Sequence, residues 1–208
     1  MLHAFFVAWI GVALAQVSPG PNMMAVIAVA LGQGRRHALL VALGIASGTL
    51  VWAAAVALGL GVVFQTLPVS LTVLKIVGGL YLLFIAIKAL RTTLAGGNGA
   101  VVAARAPVSA LGAWRRGFFV VMTNPKAALM WSAIATFLFG AGLGNIEVLG
   151  FGPVVAISAM LIYGGYGLVF STGVATRAYA RFWRVSEAIF GVAFGALGIT
   201  LLVSAVRR

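Results

Sequence analysis

The chain has no aspartate, no cysteine and only two glutamates, Glu147 and Glu187, in 208 residues. Without cysteine there is no disulfide frame and no thiolate metal site. Both glutamates lie near predicted helix ends. The middle of the apolar segments therefore offers no carboxylate, the group that proton-coupled carriers and cation sites commonly bury there. His3 and His37 fall at opposite ends of the first predicted helix, too far apart to share one metal ion. Nothing resembles a catalytic triad, a carboxylate pair or a phosphate loop, so no enzyme, metal or cofactor is expected. Alternation of apolar and polar residues is also missing, which argues against membrane strands.

What is present is apolar. Hydrophobic residues make up 63% of the chain, charged residues 8%, and mean hydropathy is +1.16. Such a composition needs a lipid bilayer around it and predicts an all-α integral membrane protein. At roughly 20 residues per span, the length holds about six transmembrane helices. The net charge of +12 would suggest nucleic acid in a soluble protein. Here the basic residues cluster beside helix ends, where they set orientation, and no nucleic-acid partner is expected.

In order, helix 1 is expected over about 3–31, helix 2 over 38–65, helix 3 over 70–90, helix 4 over 114–139, helix 5 over 148–175 and helix 6 over 186–206. Residues 1–91 form a first three-helix repeat, 92–113 a linker, and 114–208 a second repeat, all within one transmembrane domain. Ala13-Leu14-Ala15 looks like a signal-cleavage site, but residues 1–8 carry no Lys or Arg, so the first span is read as retained. One side of the membrane collects Arg35, Arg36, Lys88, Arg91, Arg105, Arg115, Arg116, Arg177, Arg181 and Arg184; the other collects Lys75, Arg207 and Arg208. Ten against three puts the linker and basic loops in the cytoplasm and both termini outside. Five spans are the alternative to six.

Helices 1 and 4 are each broken by proline. At Ser18-Pro19-Gly20-Pro21-Asn22, Pro19 cannot donate to the carbonyl of Ala15, nor Pro21 to that of Val17. A second half-helix should start at Pro21, with the N–H groups of Asn22, Met23 and Met24 open at its positive end. At Thr123-Asn124-Pro125-Lys126, Pro125 takes the donor from Val121, and Asn124 can cap the half-helix that follows. Lys126 then stands at a positive helix end. It either faces an anion or a backbone carbonyl, or it snorkels to the headgroups. Each half has three spans, so the second half is inverted relative to the first. Broken helices at matching places in inverted repeats point to a transport site near the midplane. The candidate substrate-binding residues are Pro19, Gly20, Pro21, Asn22, Thr49, Asn124, Pro125 and Lys126. Gln16 and Ser47 add neutral polar groups. Gly44 with Gly48, Gly191 with Gly195, and the glycines around Tyr166 read as close helix packing. Trp52, Trp114, Trp131 and Trp183, with Tyr179, read as interfacial anchors.

These motifs resemble the lysine exporter / homoserine-threonine exporter (LysE/RhtB) family of bacterial amino-acid efflux carriers. The matching stretches are residues 18–22, Gly32-Gln33-Gly34-Arg35-Arg36-His37-Ala38, Ala42 to Trp52, Leu74 to Leu82, Gly117-Phe118 and Thr123 to Leu129. The resemblance implies a six-span inner-membrane exporter of amino acids or related small metabolites, driven by the proton gradient. It also implies that both proline breaks line the path. A homodimer is compatible with it. The chain departs from the family pattern where Asn22 and Thr49 stand in places that often hold aspartate, and where Phe137-Leu138-Phe139 lacks the usual Pro-Gln. Two rival readings are a non-transporting scaffold whose basic face binds anionic lipid and a small-ion exporter; the missing acids argue against a cation path.

Overall fold

A computed structural model describes residues 2–60, 68–94 and 109–172, together with residues 185, 188–189, 191–192, 195–196, 198–200, 202–203 and 205–206. Among these, all regular structure is helical: α1 (Leu2–Val17), α2 (Pro21–Ala55) with a π-helical extension (Val56–Leu60), α3 (Pro68–Leu94), α4 (Ala110–Met122), α5 (Pro125–Gly140) and α6 (Asn145–Phe170). The described residues of 185–206 are helical too. Both proline breaks fall where the prolines demand them. α1 stops at Val17 and α2 opens at Pro21; α4 stops at Met122 and α5 opens at Pro125. Pro68, expected to close a turn, instead opens α3, a first position that suits a residue lacking N–H. The expected linker core and the connection holding Arg177, Arg181 and Arg184 lie outside the described residues.

α2 is too long to be one span. The apolar stretch Pro21–Gly59 has 39 residues, which would extend about 58 Å as a straight helix, twice the hydrocarbon core. The chain folds back at Gly34, whose φ of 79° and ψ of 178° are non-helical and are available to glycine at little cost. Packing confirms the reversal. A methyl placed on Gly167 would lie 3.0 Å from Ala38 and 3.5 Å from Val26, residues about 18 Å apart along a straight helix. The expected turn at Gly32 to His37 is thus a single-residue hinge. Arm 21–33 follows α1 as the second half of the broken first helix, and arm 35–55 is the second helix. α6 is also long and apolar enough to cross a membrane, and the α4–α5 pair reaches that length together, bent by 57°.

The chain divides into two compact units that cut across the sequence halves: residues 1–61 with 101–176, and residues 62–100 with 177–208. In the first unit, arm 35–55 runs between α4 and α6. A Cβ on Gly44 would lie 2.0 Å from the carbonyl oxygen of Trp114, and one on Gly117 1.9 Å from that of Val41. Only glycine permits backbones this close. Gly48 meets Val121 further along, so the arm and α4 run parallel, with exposed Arg35–Arg36 and Arg115–Arg116 at the same end. α6 runs antiparallel to the arm, Gly152 against Ala53 and Gly167 against Ala38. α1 packs on α6 through Phe5 and Phe151, with ring centres 5.2 Å apart. In the second unit, α3 and the described residues of 185–206 run antiparallel, with Gly79 against Gly198 and Leu202, and Gly191 against Leu90.

Candidate functional site

Each proline that breaks a helix strands a carbonyl, and lipid supplies no substitute donor. Side chains take over. The Ser18 hydroxyl donates to the carbonyl of Ala15 at 2.8 Å. The Tyr166 hydroxyl, from α6, donates to Val17 at 2.7 Å. The Trp52 indole N–H, from α2, donates to Val121 at 3.2 Å. The breaks are therefore stabilised features with their own hydrogen-bond partners, not simple kinks. Trp52 is consequently no interfacial anchor. Nor is Trp114, whose indole donates to Ser47 Oγ at 3.2 Å between α2 and α4, nor Trp131, which is fully buried. Tyr179 and Trp183 lie outside the described residues.

Asn124 caps α5 as its residue type predicts. Its side-chain oxygen accepts from the N–H of Lys126 at 3.0 Å, and its carbonyl accepts from Ala127 and Ala128 at 2.9 and 3.2 Å. The donors after Pro125 are thus taken and are not open to a ligand. At the other break no side chain caps α2. Met24 is not open there either, because its N–H bonds the carbonyl of Gly20 at 3.0 Å, as any fourth helical residue does. Among the described residues the N–H groups of Asn22 and Met23 have no partner. With its oxygen committed to Lys126, the Asn124 amide must turn its nitrogen outward. That nitrogen donates to Asn22 Oδ1 at 3.0 Å, and Asn22 Nδ2 reaches the Tyr163 hydroxyl at 3.4 Å. The two breaks are thereby joined by a buried chain of amides, Asn22 and Asn124 being 7% and 4% exposed.

Lys126 does not snorkel. Its ammonium donates to the carbonyls of Ser18 at 3.1 Å and Pro19 at 3.4 Å, and to Ser18 Oγ. It has left the positive start of α5 for the negative end of α1, where a cation is favoured. Gly20 leaves room for it: a Cβ there would only touch Lys126 Cδ and Nζ, at 3.5 Å. Five of the eight residues singled out by sequence, Gly20, Asn22, Thr49, Asn124 and Lys126, line one pocket. Pro21 and Pro125 start the half-helices beside it, and Pro19 contributes its carbonyl. Thr49 donates to Ile45 at 2.9 Å, leaving its oxygen able to accept. Met23, Val121 and Met130 supply apolar wall. The free volume of this partly open pocket is about 20 Å³, room for a water or two.

Three further polar lining residues, Gln16, Ser18 and Tyr163, were not among the eight candidates, although Gln16 was named as a neutral polar group and Ser18 as part of the first break. Gln16 bonds α6 twice, donating to the carbonyl of Val155 at 3.1 Å and accepting from Ser158 Oγ at 2.8 Å. Tyr163 sits in an apolar run with no motif around it. Its one signal is a hydroxyl at mid-span, which must find a polar partner.

An all-helical membrane chain whose two proline-broken helices meet at a buried polar pocket has the build of a secondary transporter. The particular family follows from comparison. The LysE type translocator model matches residues 13–205, and the chain belongs to that family; it is a transporter and not an enzyme. Relatives include the threonine efflux protein of Salmonella typhi, 25% identical over 98% of this chain and all of its own length. The threonine efflux protein of Escherichia coli K12 is 26% identical over 92% of this chain and 93% of its own. The leucine efflux protein of Salmonella choleraesuis is 29% identical over 54% of this chain and 52% of its own. No solved structure matches the chain.

Proposed function

We propose that the protein exports small neutral α-amino acids from the cytoplasm across the inner membrane, in exchange for protons. The observation that carries this reading is the meeting of both helix breaks at one pocket. That pocket holds opposite helix ends side by side, the carbonyl end of α1 and the uncapped N–H end of α2. A zwitterion has the matching pair of charges. The carboxylate is received by the N–H groups of Asn22 and Met23 with Lys126, while Asn22, Asn124 and Thr49 supply neutral hydrogen bonds. The pocket walls offer no carboxylate for a cationic side chain, which favours neutral substrates. This agrees with relatives named for threonine and leucine. Lys126 and Tyr163 are the titratable groups of the pocket. The parallel run of arm 35–55 and α4 from one basic end supports a cytoplasmic face there. The chain is read as six spans in two inverted repeats, with the linker cytoplasmic and both termini outside.

The test uses proteoliposomes loaded with labelled threonine or leucine under an imposed pH gradient. Efflux should accelerate with the gradient and fall to background in Lys126→Ala. An unchanged rate in that variant would remove Lys126 from the site.

A further inference from the structure

We infer that the carbonyls of Ser18 and Pro19 form the ammonium subsite of the pocket, and that Lys126 occupies it as a tethered stand-in while the carrier is empty. The inference rests on the amino-acid reading above and deepens it. An ammonium is already bound there. The nitrogen of Lys126 reaches the Ser18 carbonyl at 3.1 Å, the Pro19 carbonyl at 3.4 Å, and the Ser18 hydroxyl. These acceptors are available because Pro19 and Pro21 end α1, and a broken helix end presents its last carbonyls. The Ser18 hydroxyl is oriented to accept, since its own proton goes to Ala15 at 2.8 Å. Three acceptors converging on one –NH₃⁺ match its three donors. The free space of about 20 Å³ is too small for an amino acid beside the lysine, so the lining must move to admit a substrate, and moving Lys126 frees acceptors suited to an ammonium.

Loading is then an exchange. Lys126 swings from the α1 carbonyls to the substrate carboxylate, and the substrate ammonium takes the vacated carbonyls. No proton changes hands in this step, and each buried charge keeps a partner, which avoids the cost of leaving one unpaired. The empty carrier returns with its own ammonium in place.

The test separates the two charges of the ligand, using purified wild-type protein, Lys126→Met, and Lys126→Met combined with Ser18→Ala. The probes are L-threonine, its methyl ester, which keeps the ammonium and masks the carboxylate, and N-acetyl-threonine, which does the reverse. Lys126→Met should bind threonine more weakly than wild type yet bind the methyl ester about tenfold more tightly, the scale of one charge-assisted hydrogen bond freed from competition. N-acetyl-threonine should lose affinity in Lys126→Met. In the Lys126→Met background, where no lysine competes, adding Ser18→Ala removes one acceptor and should weaken the methyl ester again, a shift in the opposite sense that loss of folding in the lysine variant cannot mimic. If the ester binds wild type and Lys126→Met alike while threonine binding falls, the stand-in role is overturned and the amino-acid reading stands. If wild type binds none of the probes and no other neutral amino acid, both are overturned.

Discussion

Pro19, Pro21 and Pro125 each take a donor from one carbonyl, and in each case a side chain restores it. This is a residue-scale solution to the rule that lipid leaves no backbone group unpaired. It makes Trp52 a structural group for the second break. Trp52→Phe keeps the ring but strips the indole donor from Val121, leaving only the longer bond from the Asn124 N–H at 3.4 Å, which should lower stability by about 0.5–1.5 kcal/mol, seen as a lower thermal midpoint in detergent. Adding Pro125→Ala restores a helical N–H to that carbonyl, so the double variant should recover part of the loss. If the two losses simply add, Trp52 does not act through Val121. The losses of donor were legible from proline alone, and so was the Asn124 cap. Their replacements were not. Tyr166 and Trp52 act across 149 and 69 residues of sequence, and nothing local marks a tryptophan as inward-facing. The direction of Lys126 was legible only as a choice between carbonyl, anion and headgroup. The carbonyl end of α1 decided it, and that end became known only once α1 and α5 were placed together.

At the scale of the element, glycine decides which helices touch. Arm 35–55 and α4 approach so closely that a Cβ on Gly117 would lie 1.9 Å from the Val41 carbonyl. Backbone cannot yield as a flexible side chain does. Gly117→Ala should therefore push the two helices apart and abolish the monodisperse peak in size-exclusion chromatography. Gly150, on α6, faces open space within 4 Å. Gly150→Ala should be neutral or stabilising, by up to about 1 kcal/mol of helix propensity. Equal behaviour of the two variants would contradict the close crossing. Small-residue spacing made Gly44 and Gly48 readable as a packing face. Their partner was less readable, because Gly117 pairs at helical spacing with Ala113 rather than with a second glycine. The fold-back at Gly34 was placed within a few residues from the Gly-x-Gly and the arginines, but its sharpness was not. An apolar pattern that resumes at once looks the same on either side of a hinge.

At the scale of the whole molecule, the distribution of charge is the argument. Ten of the thirteen basic residues near segment ends fall on one predicted side. In the unit that holds the pocket, two of those clusters, Arg35–Arg36 and Arg115–Arg116, lie at the same end of parallel helices. Net negative lipid and the translocation machinery hold such residues in the cytoplasm. On the proposed six-span reading each half has three spans, and that odd number inverts the second half against the first, an arrangement suited to a carrier that alternates about a central site. The absence of cysteine turns this into a direct measurement, since any introduced thiol is the only one. His3→Cys and Arg208→Cys should react with a membrane-impermeant maleimide in intact cells. Gly97→Cys, in the linker, should react only after the membrane is permeabilised. Labelling of Gly97→Cys in intact cells would place the linker outside and reverse the direction of every helix. Protection of Arg208→Cys alone would leave five spans, with the terminal arginines joining the cytoplasmic cluster. The charge rule would then hold with Lys75 as its one exception, but the two halves would no longer be inverted copies. The pair of helix ends at Pro21 and Pro125 would meet in a fold without internal symmetry, and the alternating motion would have to be sought in the pocket unit alone.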